Sequence, residues 1–170
     1  MKRIVLVFVF FLLCAFPILT FAQTAKIVDI KGKVVVKKDI NSEWLKAKPK
    51  TLLDKGAELM TKEASECTLT FDEAMQNIVT IKENTLIKIE SITPGNINLP
   101  QGRLFSLIKN LSKVEKFQVR TPTAIAGALA TGWETAFEDG TSFLSCFEDT
   151  IHVQGLDPEG NVTGEEDLGS

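Results

Sequence analysis

Only one imidazole is available for proton transfer in this chain. It is His152, which lies between Ile151 and Val153 in an alternating stretch. A catalytic imidazole needs a partner group within hydrogen-bond reach, and no G-x-S-x-G nucleophile motif is present. His152 therefore reads as a surface or half-buried structural residue. Gly127 and Gly132 have the spacing of a phosphate loop, but Trp133 stands where such a loop needs Lys. These small residues read instead as a place where backbones pack closely. Carboxylates occur in pairs at turn positions: Asp72-Glu73, Glu138-Asp139 and Glu148-Asp149. A glycosidase would need two of them facing each other across a cleft. Acidic turn residues more commonly bend and cap the chain. A calcium site at such a turn is a stronger alternative than catalysis, although no EF-hand pattern exists. The expectation is no catalytic residue, no metal site and no cofactor.

Two residue types remain as candidates for contact or cross-linking. Trp44 and Trp133 are the only indoles. An exposed Trp stacks on sugar or anchors a partner, so both are candidate ligand or partner contacts. Core packing is the favoured reading for each, because both fall in alternating segments. Cys67 and Cys146 are candidates for a disulfide in an oxidising compartment. The alternative is two separate buried thiols.

The elements that must position these residues are strands. Period-2 alternation, β-branched residues and turn signals dominate. Strands are predicted at Ala25 to Ile30, Lys33 to Lys37, Trp44-Leu45, Glu58 to Thr61, Cys67 to Phe71, Val79 to Ile81 and Ile87 to Ile89. Beyond the Thr93-Pro94-Gly95-Asn96 loop come Ile97 to Leu99, a Pro100-Gln101-Gly102 turn and Arg103 to Ile108. Phe117 to Val119, Trp133 to Phe137, Ser142 to Phe147 and Ile151 to Val153 complete the pattern, with a hairpin at Glu138-Asp139-Gly140-Thr141. Thr121 to Leu129 could open a helix with Pro122 at its first position. Gly127 and the surrounding pattern favour a strand or a tight apolar passage. The fold class is all-β, a single domain of many short strands arranged as a twisted solenoid or sandwich.

The chain has 170 residues, 19 Lys+Arg, 22 Asp+Glu and a formal net charge of −3. That length fits one domain, and the acidic balance argues against a nucleic-acid binder. Lys2 and Arg3, the apolar run from Ile4 to Phe16, and Thr20-Phe21-Ala22 form the pattern of a secretory signal peptide over residues 1–22. A retained anchor is the rival reading, because the apolar stretch is nearly long enough to span a bilayer. After cleavage no transmembrane segment is expected. Lys37-Lys38, Lys46, Lys48, Lys50 and Lys55 make the N-terminal third basic. Residues 155–170 hold few apolar side chains and are expected to form an acidic, flexible tail, which leaves residues 23–154 as the β domain.

Read in order, several segments resemble the FecR domain, a family of periplasmic and secreted bacterial modules. They are Gly32-Lys33-Val34-Val35-Val36 followed by Trp44, then Leu53 to Thr61, then Ser65 to Asp72, then Leu99-Pro100-Gln101-Gly102-Arg103-Leu104. The most distinctive is Phe117-Gln118-Val119-Arg120-Thr121-Pro122-Thr123-Ala124, similar to the family's F-x-V-x-T-P-x-A. The resemblance spans residues 26 to 154. The family's Arg-Gly-Thr has no Arg here, where Ala130-Thr131-Gly132-Trp133 stands. The resemblance implies an all-β module without known catalysis. In the family's founding role the domain follows an inner-membrane helix and a cytoplasmic anti-sigma segment. Only three residues precede the apolar run here, so the chain resembles a stand-alone exported domain. It implies a binding or scaffolding role in the periplasm or outside the cell, toward an envelope protein or a cell-wall component. The alternative is a glycan or small-ligand binding module.

Overall fold

Alternating side chains bury one face of nearly every strand, and that alternation builds the molecule. The computed structural model describes residues 24–39, 41–109, 116–128 and 130–170. Among these residues are fifteen strands and no helix, joined in one mixed sheet that is not closed into a barrel. The expected signal peptide lies outside the described residues.

The sheet has two wings that share one long strand, β9 (Asn96–Ile108). The first wing runs in the order β4 (Leu52–Leu53), β1 (Ala25–Lys31), β6 (Glu66–Thr70), β7 (Asn77–Ile81), β9, β12 (Thr131–Glu138) and β13 (Thr141–Cys146). The second runs β3 (Leu45–Lys46), β2 (Val34–Lys37), β5 (Glu58–Thr61), β8 (Leu86–Ser91), β9, β10 (Phe117–Arg120), β11 (Ala124–Ala128), β14 (Thr150–Leu156) and β15 (Val162–Gly169). All neighbours are antiparallel except β9 and β10.

One hydrophobic cluster draws on both wings. Ile27, Leu69, Val79, Leu104 and Trp133 come from the first, and Val34, Leu59, Ile87, Ile97, Val119 and Ile151 from the second. Each such side chain gains about 1.5–3 kcal/mol on burial, and strand alternation turns the intervening residues outward. The distinctive Thr121-Pro122-Thr123-Ala124 segment is the tight turn between β10 and β11. There Thr121 Oγ1 accepts the Ala124 N–H at 2.9 Å and donates to its carbonyl at 3.1 Å.

Two expectations and one candidate need correction. Pro100-Gln101-Gly102 is not a turn but lies inside β9. Gly102, at φ 95°, lets the strand leave β8 and join β7 and β12 without a break. Residues 155–170 are not a flexible tail, because β14 continues to Leu156 and β15 pairs with it from Val162 to Gly169. Backbone pairing and the packing of Leu168 against the core order a segment that buries little else. The third concerns the two cysteines and follows from their places in the sheet.

Candidate functional site

Two turns of related sequence build one wall of a cleft. Lys62-Glu63-Ala64-Ser65 links β5 to β6, and Lys82-Glu83-Asn84-Thr85 links β7 to β8. In each the third residue is left-handed, Ala64 at φ 51° and Asn84 at φ 53°. The Ser65 hydroxyl donates to the Glu63 carbonyl at 3.0 Å and accepts the Lys33 N–H at 2.8 Å. The Thr85 hydroxyl repeats this, donating to the Glu83 carbonyl at 2.9 Å and accepting the Arg103 N–H at 2.9 Å. Lys33 and Arg103 each follow a positive-φ glycine, Gly32 or Gly102. The turns are also tied to each other, since the Ala64 N–H donates to Glu83 Oε2 at 2.6 Å and Thr61 Oγ1 donates to the Lys82 carbonyl at 2.5 Å. The Asp139-Gly140 hairpin, with φ of 50° and 78°, forms the opposite rim.

Between them lies an open cleft of about 990 Å³ lined by Phe105 and Phe137 together with a charged rim. Cross-strand pairing puts Glu66, Lys82 and Arg103 in one row on the outer face of the first wing. Lys82 pairs with Glu66 at 2.5 Å, and its ammonium sits 5.1 Å from the centre of the Phe105 ring. Arg103 reaches Glu134 at 3.0 Å and Glu138 at 3.4 Å. These pairs are partly exposed, so each is worth at most about 1 kcal/mol. Ser65, the wall hydroxyl, is committed to the backbone. Next to the cleft, Phe147 stacks on Phe105 with centroids 5.9 Å apart and planes at 29°. Phe143 and Phe147 remain more than half exposed, at 55% and 53%.

The candidates named from sequence separate. Trp133 is fully buried, donates its Nε1–H to Thr135 Oγ1 at 3.1 Å and meets Phe117 edge-on at 6.1 Å. Trp44 is 39% exposed just before β3, with the Lys37 ammonium 5.9 Å from its ring. Cys67 and Cys146 are free thiols, so the candidate disulfide is not formed and the alternative of separate thiols holds. Cys67 is on β6 and Cys146 on β13, with β7, β9 and β12 between them. Four strand spacings put them about 19 Å apart, whereas a disulfide needs Cα atoms within about 7 Å. Burial, and secondarily the Asp29 carboxylate, pushes the Cys67 thiol up to about 12. The Cys146 thiol donates to the Glu148 carbonyl at 3.1 Å.

His152 has a partner that the sequence did not reveal. Its Nδ1 lies 2.9 Å from Asp167 Oδ1 on β15, and Glu165 is 3.7 Å from Nε2. The small hollow beside it, about 90 Å³, is lined by Lys116, Gln118, Ile125, Gly127, His152 and Gln154. That lining includes no Ser, Thr or Cys to act as nucleophile.

Lys82, Arg103, Phe105 and Phe147 were not singled out in the sequence. Two signals could have found them. One is the Lys-Glu-x-Ser/Thr repeat twenty residues apart, and the other is apolar residues at both parities from Phe143 to Phe147. Among the described residues no three His, Cys, Asp or Glu side chains gather as a metal site, and no helix is long and apolar enough to cross a membrane. No family model matches the chain, and no curated protein matches it. The FecR resemblance therefore rests on the motifs themselves.

Proposed function

We propose that the chain is a non-catalytic, exported, FecR-like module of the bacterial cell envelope that binds or scaffolds another envelope protein. The observation that carries this reading is the cleft, which is lined by Phe105 and Phe137 together with Lys82, Arg103 and their ion-pair partners. Solvated ion pairs exchange partners at small cost, and aromatic residues ringed by such groups are what a protein contact buries. The FecR-like motifs and the secretory pattern at residues 1–22 support the envelope location.

A glycan or small-ligand role is the second reading. Exposed Trp44 favours it, although burial of Trp133 removes the other stacking platform. A photoreactive residue in place of Gln101, on the cleft rim, tests the choice in the intact envelope. The expected result is a protein adduct of discrete mass that disappears when Arg103→Glu and Phe137→Glu are introduced. Adducts to cell-wall glycan alone would favour the second reading. No adduct, or adducts indifferent to both substitutions, would remove the cleft from the binding surface.

A further inference from the structure

The two ends of the sheet are both apolar and oppositely charged. Among the described residues the exposed large hydrophobic side chains are Trp44, Leu45, Leu52, Met75, Phe143, Phe147 and Val162. All but Met75 lie on or beside the four edge strands. Trp44, Leu45 and Leu52 lie on or just before β3 and β4, which end the two wings on one side. Phe143, Phe147 and Val162 lie on or just after β13 and on β15, which end them on the other. Each pair of edges is held together: residues 47–51 join β3 to β4, and the Ser170 N–H after β15 donates to the Asp149 carbonyl after β13 at 3.1 Å.

Charge divides the same way. Around the β3/β4 edge Lys37, Lys38, Lys46, Lys48, Lys50 and Lys55 outnumber Asp39, Glu43 and Asp54. From Thr121 to Ser170 the chain has ten Asp or Glu and no Lys or Arg. Those acids bracket β13 as Glu138-Asp139 and Glu148-Asp149, and they run along β15 as Glu165, Glu166 and Asp167. Strand β13 itself carries no charge. Its two-residue loop makes Glu138 and Thr141 a hydrogen-bonded pair, so Ser142, Leu144 and Cys146 turn their backbone groups away from β12. Among the described residues no strand meets them there.

Charged side chains on edge strands normally prevent a protein from pairing with itself. Here the signs differ, so like ends repel while unlike ends attract. We propose that copies of this chain associate head to tail, the lysine-rich β3/β4 end of one docking on the acidic β13/β15 end of the next. Trp44, Leu45 and Leu52 then cover Phe143, Phe147 and Val162. Such an interface is heterologous, so it closes into a ring or continues as a filament. The acidic end borders the cleft, since Glu138 and Asp139 line it and Phe147 stacks on its Phe105, but the variants below leave every cleft-lining residue unchanged.

Sedimentation velocity on the purified chain, at about 50 mM and about 500 mM salt, tests this with two charge-reversed variants. One is Lys46→Glu with Lys48→Glu, and the other is Glu148→Lys with Glu166→Lys. All four side chains are exposed, and circular dichroism checks that each variant keeps its β spectrum. The native chain is expected to gain mass with concentration, more strongly at low salt. Each variant alone should associate at least about tenfold more weakly, and an equimolar mixture of the two should regain association, because an acidic end then meets a basic one. A native chain that stays monomeric overturns the proposal. So does association indifferent to the reversals, as apolar aggregation would give, or sensitivity at the lysine end only, as binding of an anionic contaminant would give.

Discussion

Thr85 packs directly against Gly102. The Thr85 hydroxyl accepts the Arg103 N–H at 2.9 Å, and a Cβ placed on Gly102 would come within 2.5 Å of the Thr85 Cα. The missing side chain is what allows β9 to pass from one wing to the other under the β7–β8 turn. The same contact fixes Arg103, and hence the cleft rim, relative to Lys82.

Gly102→Ala should therefore cost about 3 kcal/mol or more, because a left-handed backbone and a backbone collision are combined at one residue. Gly140→Ala is the control. Gly140 also has positive φ, 78°, but nothing lies within 4 Å of its Cβ position, so about 1 kcal/mol is expected. Urea unfolding measures both, and equal losses would show that the Thr85 contact does not matter.

Ser106 faces the core beside Trp133 in the β9–β12 ladder, is 2% exposed, and its Oγ has no hydrogen-bond partner among the described residues. An unpaired buried hydroxyl costs about 1–3 kcal/mol. Ser106→Ala should be neutral or stabilising by about 1 kcal/mol, read as a raised urea midpoint at unchanged slope. A lowered midpoint would mean the hydroxyl is satisfied.

The thiols should differ in reactivity. Cys67 is buried and its thiol is pushed up to about 12, so it stays protonated and shielded at pH 8. Cys146 lies half-buried at the open edge. Brief alkylation of the folded protein followed by peptide mass mapping should label Cys146 and leave Cys67 unmodified until the chain is denatured. A Cys67–Cys146 disulfide peptide under oxidising conditions would contradict the strand order.

Acid should loosen the β14–β15 connection. Asp157 accepts from the Asn161 amide side chain at 3.0 Å and from its N–H at 2.7 Å, and these bonds lower its carboxyl below the usual 3.8. A carboxylate lowered on folding stabilises the fold fully above its unfolded value of 3.8. That stabilisation is lost as pH falls through the lower folded value. The expected outcome is a shift of the Asn161 amide resonance below about pH 4, absent in Asp157→Asn. A shift centred near neutrality would exclude Asp157 as its cause.

The β class and most strand positions were legible because they are local. A period of two marks Val79 and Ile81 or Ile87 and Ile89 as one face of a strand whatever lies beside it. Gly140 after Asp139 identifies a hairpin from two residues alone. The cleft was not legible, since Phe105, Phe137 and Arg103 become neighbours of Lys82 only through pairing between distant strands.

By itself the sequence determined which residues extend, which turn, and that positive charge lies early and negative charge late. Tertiary structure alone decided that β9 runs unbroken through Gly102 and that Cys67 and Cys146 lie four strands apart. It also decided that the acidic terminus becomes the outer strand against β14. The physical reason is that alternation chooses the face of a strand but carries no record of its neighbour. Strand partners are selected by how the whole set of apolar faces closes on one core.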